Sequence, residues 1–189
     1  MVQKEAEQVG KAVIESAIVA FRSNKGWADK AVAQLPDEKL HVALDPNTNC
    51  IAVIMKHVAG NLLSRWTDFL TTDGEKPWRN RDSEFETLDN SRKDLEEMWA
   101  IGWGVLEDQL ARLTDNDLPR EVFIRGEVWS VHGALSRSLA HVSYHVGQMV
   151  TLARLLCSSE WQWVTIPKGK SQEFNQKVRN LKISEDKVP

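Results

Sequence analysis

Ser138-Leu139-Ala140-His141-Val142-Ser143-Tyr144-His145-Val146-Gly147-Gln148 is the stretch on which the reading of this chain turns. It sits inside a longer seam, Val131, Leu135, Ser138, Val142, His145, Met149, Leu152 and Leu156, whose steps alternate between four and three. That alternation marks one face of a long α-helix, expected over about 131–157. Two histidines four residues apart on such a helix stack on one face about 6 Å apart, close enough to share one transition-metal ion. His145 falls in the seam and His141 flanks it. A buried imidazole is costly unless both ring nitrogens are satisfied, and a shared cation serves two rings at once. The competing reading makes them packing residues, with His145 bonded to a neighbouring backbone or hydroxyl group and His141 at the rim.

Upstream, Lys56-His57-Val58-Ala59-Gly60-Asn61 puts a third histidine on a second expected helix, about 51–70. Ile54, His57, Val58, Asn61, Leu62 and Arg65 share one side of it, so His57 borders the apolar stripe. A helix over about 5–35 carries Val13, Ala17, Phe21, Ala28, Val32 and Leu35. Another over about 88–113 carries Leu95, Trp99, Gly102, Leu106 and Leu113. Four long helices, each apolar along one stripe, predict an all-α four-helix bundle, the architecture in which metal sites are built from facing helices.

Between these helices, Asp45-Pro46-Asn47-Thr48-Asn49 reads as a turn leading into an N-cap. Residues 71–85 are charged, aperiodic and broken by Gly74 and Pro77, which predicts a long loop. Glu121 to Ser130 is the one β-like run, and Gly126 with Glu127 could turn it into a short β-hairpin just before the last long helix. Residues 158–189, with Trp161, Trp163 and a turn at Ile166-Pro167-Lys168-Gly169-Lys170-Ser171, read as a docked tail ending in a frayed terminus.

The chain has 189 residues, enough for a single domain over 1–189 with a full core. Its net charge of -3 lacks the basic footprint of a nucleic-acid or anionic-membrane binder. No window approaches the roughly 18 apolar residues of a membrane span, and the charged start lacks a signal peptide's apolar run. A cytoplasmic protein is expected, with Cys50 and Cys157 as two reduced, partly buried thiols.

Asn61 and Arg65, one and two turns beyond His57, and Arg137 and Gln148, either side of His141 and His145, are candidates to support the imidazoles or to meet substrate. Either arginine can face an anionic substrate or lie on the surface with a snorkelling stem. His41 and His132 lie off this face and read as ordinary polar residues. Trp66, Trp99, Trp103 and Trp129 read as core and dimer-interface mass.

These segments resemble the DinB-like superfamily of metal-binding four-helix bundles. The match to one uncharacterised bacterial branch of unknown function is close, through Lys56–Asn61, Ser64–Asp82, Ile124–Glu127, His141–Gln148 and Ile166–Ser171. The resemblance implies that His57, His141 and His145 bind a divalent metal and that the protein is a homodimer. It also implies kinship with enzymes that transfer low-molecular-weight thiols such as bacillithiol or mycothiol.

Three neutral imidazoles with an open position suit Zn²⁺ or Ni²⁺ better than the oxygen-seeking Mg²⁺ or Ca²⁺. The leading expectation is a metal-dependent thiol S-transferase taking a small-molecule substrate and a thiol cosubstrate. A metal-dependent hydrolase, in which water takes the thiol's place, and a non-catalytic, stress-related metal-binding bundle are the alternatives.

Overall fold

The computed structural model describes residues 2–86, 90–157 and 160–185, and among them it is all-α apart from one hairpin. The chain divides into two compact units, Met1–Cys157 and Ser158–Pro189. In the first unit, helices α1 (Val2–Val32), α2 (Ile51–Trp66), α3 (Arg92–Arg112) and α4 (Val131–Leu156) form a four-helix bundle. In it α2 packs mainly on α3 and α1 mainly on α4, while α2 and α4 also meet.

Each helix ends for a local reason. After Val32 the amides of Gln34 and Leu35 bond three residues back, tightening the chain ahead of Pro36, so α1 stops short of the expected Leu35. The Asp45 carboxylate accepts from the Asn47 amide and the Thr48 hydroxyl, forming the expected turn. The N-cap of α2 is Cys50, whose side chain makes no capping bond. α2 ends at Trp66 rather than near Leu70, because Asp68 turns left-handed at φ 48°.

The expected start of the third helix at Leu88 lies outside the described residues. α3 begins at Arg92 behind a reciprocal cap, in which Ser91 Oγ accepts from the Asp94 amide and the Asp94 carboxylate accepts from the Ser91 amide. The hairpin is present as β1 (Glu121–Ile124) and β2 (Glu127–Ser130), paired antiparallel. Its turn falls at Arg125-Gly126, one residue earlier than expected, with φ 57° and 75°. Two successive left-handed residues give the tight turn whose twist matches the strands. The strain at Arg125 is offset by Asp73, which accepts from the amides of both turn residues. β2 runs straight into α4, where Ser130 Oγ caps the Gly133 amide.

Phe21 of α1 meets Trp66 of α2 and Trp103 of α3 edge-on, with centroids 6.3 and 6.4 Å apart. This aromatic knot ties three helices together. α2 and α3 cross so closely at Gly102 that a Cβ there would lie 2.6 Å from the Ala59 carbonyl oxygen. Residues two positions from His57 are therefore clamped against α3. Cys50 is buried and Cys157 is half-buried, with the Cys157 thiol 3.9 Å from the Gln34 carbonyl oxygen.

In the second unit the structure places a helix, α5 (Ser171–Glu185), where the sequence reading had only a tail. The tail's residues 158–159 and 186–189 lie outside the described residues. Among the described residues no helix is long and apolar enough to cross a membrane.

Candidate metal centre

α2 and α4 bring His57, His141 and His145 together across the bundle. Their candidate ligand atoms all lie within 4.8 Å of one another. His57 and His145 are buried and His141 is half-buried. Ring centroids are 5.2 Å apart for His57 and His141, 4.9 Å for His57 and His145, and 4.6 Å for His141 and His145.

Hydrogen bonding decides which nitrogens face inward. His57 Nδ1 lies 2.8 Å from Glu84 Oε2. A carboxylate only accepts, so Nδ1 carries the proton and the neutral ring presents a bare Nε2. His145 Nδ1 lies 2.9 Å from Gln148 Oε1, which fixes its tautomer in the same way. His57 Nε2 lies 3.2 Å from His141 Nε2. Nitrogens held about 2.0–2.1 Å from a tetrahedral ion stand about 3.3 Å apart, so the His57–His141 pair has the spacing of two ligands to one metal. Without a metal, His141 Nε2–H donates to His57 Nε2. His141 Nδ1 is buried without a partner among the described residues. The donor set, three neutral imidazole nitrogens, fits a divalent transition ion.

Electrostatics keep the His141 and His145 rings neutral. Burial pushes His141 down to about 3, reinforced by the charges of His145, His57, Arg137 and Arg79. His145 is lowered by burial and then by His57, against a hydrogen bond to Gln148 that raises it. In the unfolded chain a histidine takes up a proton near 6.5, so the unfolded state is protonated first as pH falls. The metal-free fold is therefore expected to lose stability progressively from pH 6.5 downward to about 3. Urea melts of the metal-free chain between pH 7 and 5 check this. His141→Gln is expected to flatten the dependence, and equal slopes in the two proteins would contradict it.

Glu84 was not a candidate from sequence. It lies in a 3₁₀ turn, Asp82–Phe85, at the end of the charged loop, with its side chain 10 % exposed. Arg79 grips it with two bonds, Nε to Oε1 at 2.8 Å and Nη2 to Oε2 at 2.9 Å, and spends Nη1 on Ser64 Oγ. Burial raises the Glu84 carboxyl, but the bonds from His57 and Arg79 and the Arg79 charge outweigh it and hold it below its usual value. The approach needs Gly60, because a Cβ there would collide with the Glu84 carboxylate. A glycine in mid-helix three residues after a histidine was the sequence signal for this contact. Phe85 packs on the His57 ring at 4.8 Å.

Of the four neighbours read from sequence, Gln148 is the one that bonds an imidazole among the described residues. Asn61 is buried on α2 without a bond to any of the three histidines. Arg65 is buried, donates to Glu75 Oε2 at 3.2 Å, and leaves Nε and Nη1 without partners among the described residues. Burial lowers its pKa, Glu75 opposes that, and Arg79, Arg125 and Arg137 add to the lowering. Arg137 is exposed, lies over Trp129 at 5.6 Å and meets no carboxylate among the described residues. His41 donates to the Asn90 carbonyl, away from the cluster.

A family model described as a protein of unknown function (DUF1572) matches residues 8–170. Searches of the curated proteins and of the solved structures return no match.

Proposed function

This chain belongs to the DUF1572 family of proteins of unknown function, and we propose that its histidine cluster holds one divalent transition metal, Zn²⁺ or Ni²⁺, in a thiol S-transferase. The observation that carries the reading is the clustering of three imidazoles whose candidate ligand atoms lie within 4.8 Å of one another, two of them held by an acceptor at Nδ1. When bound, such an ion lowers the pKa of a thiol at its open position and favours the thiolate.

The chain's own residues supply the rest. Glu84 and Gln148 hold two imidazoles in orientation, as carboxylates and amides do behind metal-binding histidines. His141, the least buried of the three, marks the side from which a small molecule can approach. Arg137, carried on the Trp129 ring and free of any carboxylate among the described residues, is placed to pair with a carboxylate of the cosubstrate. The kinship with bacillithiol and mycothiol transferases drawn from sequence supports a thiol cosubstrate and a homodimer.

The test is turnover. Metal-loaded chain is incubated with bacillithiol, mycothiol or a simple thiol and 1-chloro-2,4-dinitrobenzene. The S–C bond forms, the C–Cl bond breaks, chloride leaves and the thiol proton goes to solvent. Product formation well above the uncatalysed rate, abolished by chelator and restored by Zn²⁺ or Ni²⁺, is the expected result. No acceleration by a metal-loaded chain with any of these thiols would contradict the transferase reading.

A further inference from the structure

A groove of about 700 Å³ runs between the loop ahead of α2 and the second half of α4. Its walls include Leu44 and Leu155, which are apolar, and Asn47, Asn49 and Gln148, which offer amides. None of its lining side chains carries a formal charge, although 27 % of the chain's residues do. The volume falls in the range of small-molecule sites, roughly 300–1,000 Å³. Leu44 is 49 % exposed, and Leu155 and Tyr144 are each 64 % exposed, so the apolar walls stand open to solvent.

The groove adjoins the histidine cluster by direct contact. Gln148 lines it and accepts from His145 Nδ1 at 2.9 Å. Tyr144 lines it too, packs on the His145 ring at 5.0 Å, and follows the half-buried His141 by one helical turn. Arg65 and Arg137 lie toward the opposite ends of α2 and α4, so the cations and the uncharged groove flank the cluster on different sides along the helices. A charged group entering the groove would lose hydration with no counter-charge to replace it, whereas a neutral carbonyl or hydroxyl would find amide partners and an apolar body would find Leu44 and Leu155.

We propose that this groove seats the uncharged, partly apolar arm of the small molecule that reacts at the histidine cluster. The inference rests on the metal reading for the reacting end, and on the groove's own chemistry for binding.

Gly147 supplies the test, because a Cβ there meets nothing within 4 Å and bulk can be added from an exposed position. The probe is N-benzylacetamide, a neutral amide with an apolar ring, followed by ligand-observed NMR on the full chain. Binding to the parent is expected to be at least fivefold tighter than that of benzoate or benzylammonium. Gly147→Trp, and independently Thr151→Trp, are expected to weaken it at least tenfold, while Gly147→Ala leaves it within about twofold. Thermal melts establish that the variants fold. Loading with Co²⁺ is expected to broaden the bound probe's resonances. No binding to the parent, no preference for the neutral probe, binding to both tryptophan variants as tight as to the parent, or bound-probe resonances not broadened by loaded Co²⁺ would each overturn the proposal. A chain that takes up no Co²⁺ yet binds the probe in the groove would leave the groove standing as a ligand site and would instead count against the metal reading.

Discussion

Glu84→Gln is expected to lower metal affinity about 10–100-fold, the usual consequence of removing the acceptor behind a ligating imidazole. The glutamine keeps the shape and one oxygen, though it removes the charge that pairs with the buried Arg79, so urea melts accompany the binding measurement. Glu84→Ala goes further. It strips the carboxylate from Arg79, whose side chain is 2 % exposed, and breaking a buried pair by removing one partner costs about 3–5 kcal/mol. Gly60→Ala offers a control that leaves both charged groups in place. Its methyl would collide with the Glu84 carboxylate and push it off His57, so it is expected to weaken metal binding in the same direction. Competition with a chromophoric chelator gives the affinities and urea melts give the stabilities. Unchanged affinity in Glu84→Gln would mean that His57 does not depend on this carboxylate.

Trp66→Ala is expected to be the most damaging change away from the cluster. Trp66 is 1 % exposed, its Nε1 donates to Ser138 Oγ at 3.2 Å, and its ring meets Phe21 and Phe69. Removing so large a buried side chain typically costs about 3–5 kcal/mol through lost burial and the cavity left behind. Natural domains have only about 5–15 kcal/mol in all, so the urea midpoint falls steeply. Ser138 stands one turn before His141 and Val142 on α4, so the same bond sets the α2–α4 spacing that the histidines need. A loss under about 1 kcal/mol would show that the knot around Phe21 closes without Trp66.

The helices and the histidines were legible because both depend on spacing along one element. The four-and-three seam of α4 put His145 inward, and offsets from Ile54 did the same for His57 on α2. What supports those histidines was not legible. Glu84 reaches His57 across 27 positions, from a loop whose charge and broken periodicity read as solvated, and nothing local separates it from Glu75 or Asp82. Only Gly60 hinted that something approaches α2 closely. The turn at Arg125-Gly126 was misplaced by one residue because its partner Asp73 lies in that same loop, far away in sequence. α5 was overlooked because its polar residues mask the helical spacing of Phe174, Val178 and Leu181.

Arg65 and Asn61 show the other limit of spacing. Both fall on the correct side of α2 and both are buried, yet neither bonds an imidazole among the described residues. A shared helix face gives proximity along the axis, while contact with a ring depends on what the neighbouring loop places there.

The most direct test of the account is metal content by inductively coupled plasma mass spectrometry on tag-free protein, for the parent and for the double variant His141→Ala with His145→Ala. The account predicts about one equivalent of Zn or Ni in the parent, as for a single three-imidazole site, and its loss in the double variant. A parent that is metal-free and stays empty after addition of Zn²⁺ and Ni²⁺, or a double variant that retains the metal, would contradict it.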